Sequence, residues 1–319
     1  MITIGLDVGG TKVLGVAVDD GQPGVVLSAH RTATPDGGTG LVEVLAGLVD
    51  QLTAEAGAPA AVGVGVPGIV DHTGTLVLGP HLRDLRSHPL ATEVGERLGL
   101  PTVVDNDANC HGVAEQRAGA ARGEQEALMV TLGTGIGGGV ITGGTLLRGA
   151  HGFAGELGHM VVDPTGPPCP CGKQGCWERY ASGTGLGRLA REAAEGGRLD
   201  AVVALAGGDE DAVRGEHVTQ AARAGDPAAL QLLDQLAWWI ALGLANLANI
   251  LDPSVVVIGG GLVEAADLLL EPVRRHFGEL VMGGSARPAP RIVAAELGEQ
   301  AGAIGAAARA ADLRTAPSG

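Results

Sequence analysis

Aromatic residues are scarce in this chain: two Phe, one Tyr and three Trp among 319 residues. The core must therefore be aliphatic. Lysine is scarcer still, present only as Lys12 and Lys173, and arginine supplies the remaining positive charge. With a formal net charge of −15, the chain lacks the basic surface on which nucleic-acid affinity rests, so no nucleic-acid partner is expected. No basic n-region opens the sequence, and residues 1–7 read as strand rather than as a secretory signal. The most apolar stretch, 237–251, is interrupted by Asn246 and Asn249 and reads as a buried helix, so no membrane partner is expected either. Four cysteines are too few for a disulfide scaffold at this length. The reduced cytoplasm is the expected compartment.

Glycine, in contrast, is abundant, with 55 residues gathered at strand ends. Apolar runs at 2–6 and 13–18 are joined by Asp7-Val8-Gly9-Gly10-Thr11-Lys12, which predicts a hairpin-like pair, with a third strand at 25–32. Helical spacing follows at 40–56, a buried strand at 61–66, a helix around 93–98 and a strand at 101–104. A helix is expected over 108–118. The pattern then restarts: strand at 127–132, glycine turn at 133–139, strand at 140–142, an echo of the first segment that suggests a structural duplication. Helices are expected at 185–194, 219–224, 227–251 and 298–311, with a strand at 255–258 running into Gly259-Gly260-Gly261 and a disordered tail from 315. Strands alternating with helices indicate an α/β architecture. A domain boundary is placed at 112: residues 1–112 with 298–319 form a small domain, and 113–297 a large one.

Five motifs carry chemistry. In Asp7-Val8-Gly9-Gly10-Thr11-Lys12 the glycines let backbone N–H groups approach an anion, Thr11 and Lys12 add a hydroxyl and a charge, and Asp7 suits a hydrated magnesium ion. A bare hairpin would look the same. Gly133-Thr134-Gly135-Ile136-Gly137-Gly138-Gly139 matches G-x-G-x-x-G, but a strand follows it where a dinucleotide fold needs a helix. It reads better as a second phosphate loop. Gly259, Gly260 and Gly261 follow a strand, where a flat ligand such as adenosine could lie against backbone; a plain turn is the alternative. Asp105-Asn106-Asp107 follows a buried strand, where α/β proteins place ligands. A carboxylate there can accept a hydroxyl proton in phosphoryl transfer, while its neighbours cap the next helix.

The fifth motif is the cysteine cluster. Cys169, Cys171 and Cys176 fall within eight residues, with His159 ten positions upstream. Three thiolates and an imidazole make a closed tetrahedral zinc set. Glu156 and Glu178 flank these ligands and are the wrong chemistry to complete a thiolate-rich site. The loop would then present them to another ligand. Cys110 reads as a helix-packing residue.

Together these segments, with Glu156-Leu157-Gly158-His159 and Cys171-Gly172-Lys173-Gln174-Gly175-Cys176-Trp177-Glu178, resemble the ROK family (repressors, open reading frames and sugar kinases), most closely its bacterial ATP-dependent glucokinases. The resemblance covers nearly the whole chain. It implies an actin/hexokinase-like (ribonuclease H-like) fold, two α/β domains with an interdomain cleft. It also implies Asp107 as general base on a sugar's 6-hydroxyl, Asn106, Glu156, His159 and Glu178 on the other hydroxyls, and His159 shared between structural zinc and sugar. Mg-ATP would lie on Asp7, Gly9–Lys12 and Gly133–Gly135, with adenosine near Gly259–Gly261. Glucose or a related hexose and ATP would be the partners, in a homodimer or homotetramer. Other hexose or N-acetylhexosamine kinases, and a sugar-responsive repressor lacking its DNA-binding domain, are the alternatives. Two segments depart from the family pattern: Pro80-His81-Leu82, where an amide is common at His81, and Thr184-Gly185 after Ser182-Gly183.

Overall fold

A computed structural model describes residues 1–80 and 82–315. His81 and the tail 316–319, both singled out above, lie outside the described residues. The chain divides into two compact units: 1–129 with 138–155 and 295–319, and 130–137 with 156–294. The division passes through strands β8 and β9, defined below.

In the first unit, β1 (Ile2–Val8), β2 (Lys12–Asp19) and β3 (Val26–Ala33) form an antiparallel meander, and β4 (Val62–Val66) and β7 (Thr102–Asn106) join in parallel, giving the order β3-β2-β1-β4-β7. A small two-stranded sheet pairs β5 (Ile69–Val70) with β6 (Leu76–Leu78). On one face, α1 (Leu41–Ala56) and α2 (Leu90–Leu98) bury Leu41, Leu45, Leu48, Leu52 and Leu90 against Ile4, Leu6 and Val64. On the other face lie α3 (Asp107–Ala118) and α10 (Ala301–Thr315), where Ala114, Ala303, Ile304 and Ala307 meet Leu14 and Val16. The second interface is alanine-rich because the helix backbone comes very close. A side chain at Gly5 or Gly63 would collide with the α10 backbone at Ala303 or Ala306. Glu115, 1% exposed, ties the returning segment down by accepting the N–H groups of Glu296 at 3.0 Å, Leu297 at 3.0 Å and Ala120 at 2.8 Å.

A second sheet has the order β10-β9-β8-β11-β12, from β8 (Ala127–Leu132), β9 (Ile136–Thr142), β10 (Thr145–Leu146), β11 (Val255–Gly259) and β12 (Arg291–Ala294). Its order repeats that of the first sheet, as the echo in the sequence suggested. The second unit adds α4 (Glu178–Ala181), α5 (Gly183–Ala194), α6 (Asp200–Leu205), α7 (Gly215–Arg223), α8 (Pro227–Leu251) and α9 (Ala266–Leu280). Helix α8 is apolar and long enough to cross a membrane, but Leu232, Leu236, Ile240, Leu244 and Leu247 are buried, so it is a core helix here. Gly243 on α8 leaves the notch that the Trp177 indole fills. Trp177 is fully buried and donates to the Trp239 carbonyl at 2.7 Å.

Two expectations change. The glycine turn is 133–135, because β9 already begins at Ile136. Gly139 is there for close packing: an added Cβ would lie 3.0 Å from the Ala108 carbonyl and 3.4 Å from the Gly112 Cα. The boundary expected at 112 falls inside α3, whose Gly112 faces that same strand rather than ending the helix. The first unit accordingly runs on to Met129.

Candidate active site

The first unit gathers Asp7, the turn of residues 9–11, Asn106 and Asp107. Parallel pairing aligns Asp7 with Gly65 and Gly65 with Asp105, so the carboxyl-terminal ends of β1, β4 and β7 lie side by side. Asn106 closes β7 and caps α3, its Oδ1 accepting the Asn109 N–H at 3.1 Å while its Nδ2 donates to Gly68 O at 3.0 Å. Asp107 is then the first helical residue, its Oδ1 accepting the Ala108 N–H at 2.9 Å. Burial raises the Asp107 pKa above the ordinary carboxylate value, and the nearby His111 charge opposes this. Burial also pushes Asp7 up to about 6, with His111 opposing and Asp107 adding to the rise. Gly302 makes room for Asp7: an added Cβ would sit 2.6 Å from its Oδ2. Cys110 is fully buried, with Gly305 of α10 packed against its backbone, a packing residue as expected.

The turn between β1 and β2 is tight, with Gly9 N–H donating to the Lys12 carbonyl at 2.8 Å and the Thr34 hydroxyl donating to Gly9 O at 2.7 Å. Lys12 reaches Glu299 at 3.1 Å, and Arg31 reaches the same acid at 2.8 Å, all half-exposed. So exposed a pair is weak, and Lys12 is readily released to an anion.

The second unit holds Gly133–Gly135, Glu156, His159, Glu178, the cysteines and Gly259–Gly261. The cysteine segment folds on its own backbone: Cys169 N–H donates to Lys173 O at 2.8 Å, Gly175 N–H to Pro167 O at 2.9 Å, and Trp177 N–H to Met160 O at 2.8 Å. Tyr180 buttresses it, donating to Asp163 at 2.7 Å and stacking on Trp239 at 4.0 Å between ring centroids. Trp177 and Tyr180 are thus buried against this segment, whereas Phe153 is 42% exposed on a loop.

The ligand atoms of His159, Cys169, Cys171 and Cys176 all lie within 4.8 Å of one another. Cys171 Sγ is 3.6 Å from Cys176 Sγ, and Cys169 Sγ is 3.7 Å from His159 Nδ1. A tetrahedral ion with bonds of about 2.3 Å has edges of about 3.8 Å, so the spacing fits. Burial foremost, then the neighbouring Glu178 and thiols, push the Cys169 pKa far up. Only a cation would ionise the whole set. The other His159 nitrogen, Nε2, lies 3.9 Å from Glu156.

Glu178 stands between the cluster and the second glycine turn. Its Oε1 accepts the Cys169 thiol at 3.1 Å, and its Oε2 would lie 2.6 Å from a Cβ at Gly135. Thr184, a departure from the family pattern, donates to the Thr134 carbonyl at 2.6 Å and so braces that turn. Gly260, at φ +82°, abuts Leu132 of β8. In contrast, an added Cβ at Gly133 or Gly261 would meet nothing within 4 Å, and neither has left-handed backbone.

Residues 3–312 match the ROK family. The chain belongs to the ROK family. Among ROK relatives, the glucokinase of Streptomyces coelicolor is 42% identical over 310 residues, covering 96% of each chain. The glucokinase of Thermotoga maritima is 37% identical over 307 residues, 95% of each. A crystal structure of a ROK family glucokinase from Streptomyces griseus in complex with glucose and AMPPNP superposes with a TM-score of 0.86 at 42% identity, covering 98% of this chain and 100% of that one. The ROK fold here is the actin-like ATPase type.

Sequence reasoning missed Asp105 as an ionic centre. It lies 3.2 Å from both Arg148 and Arg309, which are distant from it in the sequence. The one available signal was a third polar residue beside Asn106-Asp107.

Proposed function

We propose that the protein is a glucokinase, transferring the γ-phosphoryl group of ATP to the 6-hydroxyl of glucose. The carrying observation is Asp107, a carboxylate of raised pKa at the end of a parallel strand, in a chain 42% identical across its length to a glucokinase. With Oδ1 anchored, Oδ2 takes the hydroxyl proton as the sugar oxygen attacks the γ-phosphorus, and ADP leaves. Asn106, Glu156, His159 and Glu178 hold the remaining hydroxyls, each able to pair with an O–H group. A site built this way rejects sugars that leave its polar groups unpaired.

Lys12 and the N–H groups of residues 9–11 and 133–135 bind the phosphates. The glycines at 133 and 261, which the fold itself does not require, suit close approach by the nucleotide. Asp7 would hold magnesium, which neutralises charge on the phosphates when bound. The set of three cysteines and one histidine would hold zinc as a structural clamp, since four protein ligands leave no open position. His159 Nδ1 serves the metal and Nε2 the sugar. These roles suit a soluble cytoplasmic enzyme.

The test is ADP release from Mg-ATP with a panel of glucose, fructose, allose, N-acetylglucosamine and N-acetylmannosamine. Turnover of glucose above the others is expected. Turnover of an N-acetylhexosamine without glucose would overturn the assignment of substrate. Binding of sugar with no turnover of any would point to a sugar sensor.

A further inference from the structure

Asp105 is 1% exposed, and every one of its contacts leads to a part of the proposed hexose site or to the helix behind it. Its Oδ1 accepts the Asn106 N–H at 2.9 Å and the Asn109 Nδ2 at 3.0 Å. Its Oδ2 lies 3.2 Å from the Nε atoms of Arg148 and Arg309. A buried carboxylate demands such compensation. One arginine would neutralise its charge; two are present, and they go to different places. Arg309, on α10, pairs onward with Asp312 in its own helix at 3.4 Å. Arg148 opens the segment that ends at Gly155, the residue before Glu156.

That segment is pinned along its length. The Arg148 guanidinium also donates to the Asp71 carbonyl at 3.0 Å, and the next carbonyl, of Gly149, lies 2.9 Å from His72 Nε2. Gly152, at φ +92°, has no room for a Cβ, which would sit 2.7 Å from the Val70 carbonyl. Gly155, at φ +105°, is backed by the Gly138 carbonyl, 2.8 Å from an added Cβ, and by Asn109 Oδ1 at 3.3 Å. Asn109 is 1% exposed and its Oδ1 has no hydrogen-bond partner among the described residues. Among the described residues its side chain is thus hydrogen-bonded to Asp105 alone, and it faces the backbone that delivers Glu156.

We propose that Arg148 is a positioning residue of the hexose site, anchored on Asp105 and fixing the backbone of residues 149–155 so that Glu156 meets the sugar. The proposal rests on the hexose-kinase assignment. One buried acid then holds both the strand end that carries Asn106 and Asp107 and the segment that carries Glu156.

Steady-state kinetics with hexose and ATP varied separately test this on Arg148→Met, Arg148→Lys and Arg309→Met. Arg148→Met should raise the hexose KM roughly tenfold to a hundredfold, the scale of a small misplacement. Its kcat should fall less, and its ATP KM should not move. Lysine keeps the charge but loses the planar fork to Asp71, so Arg148→Lys should recover only part of the hexose KM. Arg309→Met, which removes the arginine that donates a hydrogen bond to Asp105 at 3.2 Å, should lower the melting temperature without a selective change in hexose KM. Equal selective rises in the Arg148 and Arg309 variants would overturn the proposal, leaving only charge compensation. Should Arg148→Met fail to fold, an unchanged hexose KM in Arg148→Lys overturns it alone. Wild-type protein that turns over no hexose sinks the kinase assignment itself; normal wild-type turnover with unshifted Arg148 variants sinks the positioning role only.

Discussion

Two glycine turns stand at the same place in two sheets of the same strand order, and their surroundings differ. The turn of residues 9–11 is open, its only lysine held by an exposed pair with Glu299. The turn of residues 133–135 is packed, with Glu178 pressed against Gly135 and Thr184 bonded to Thr134. The first sheet also places the candidate base, Asp107, close to Asp7 at its strand ends. The second unit places Glu156 and Glu178, the acids proposed to hold the sugar, beside the cysteine cluster. The first unit thus carries the proposed base and one proposed phosphate turn, and the second the proposed hexose acids and the other turn. Changes at Asp107 or Lys12 should act on kcat or ATP, and changes at Glu178 and its supports on the hexose KM.

The sharpest way to break this division is Asp107→Ala. Loss of the base should lower kcat by about 10²–10⁴-fold while hexose binding, measured calorimetrically, is largely kept. Unchanged turnover would remove Asp107 from the mechanism. On the recognition side, stripping the metal from the three cysteines and His159 should disorder Glu156 and Glu178 and abolish or strongly weaken hexose binding, and metal analysis should find about one zinc per chain. Normal hexose binding by metal-free protein would separate the cluster from the site.

A paired substitution compares the turns directly. Gly135→Ala should displace Glu178 and raise the hexose KM by roughly tenfold. Lys12→Met should raise the ATP KM by about tenfold, the worth of one charged hydrogen bond, and leave the hexose KM alone. A raised hexose KM in Lys12→Met, or an unchanged one in Gly135→Ala, would erase the distinction. The smallest effect concerns pH. Asp107 works only ionised, and burial raises its pKa. Activity is therefore lost as pH falls through that raised value, and the acid limb of kcat/KM should lie above the usual carboxylate range. His111→Ala removes a charge that holds the pKa down, so the limb should move further up.

What the sequence disclosed was mostly local chemistry. Helix α8 was read at its true bounds, because Asp226 caps it, Pro227 opens it and its apolar spacing is regular. The metal set was legible because three of its ligands are neighbours in the chain. The glycines at 137–139 misled, since a glycine that admits a helix backbone is spelled like one that turns. Strand β12 and the short helices α4 and α6 went unread, being four to six residues long. The ion cluster at Asp105 was hidden for a different reason: its partners come from far along the chain, and only the folded backbone assembles them. The candidate phosphate, base and metal residues are legible in the sequence, but the contacts that hold them are not.

Helix α10 has a consequence for how the protein is made. It covers the aliphatic face of β1 and β2, yet it leaves the ribosome after the entire second unit. The intervening stretch, residues 130–294, takes on the order of ten to thirty seconds to synthesise. Throughout that interval the nascent first sheet shows Leu14 and Val16 uncovered, together with the bare glycine backbone shaped for Ala303 and Ala306. A premature stop just before Ala301 should therefore yield insoluble protein rather than a slightly shorter enzyme.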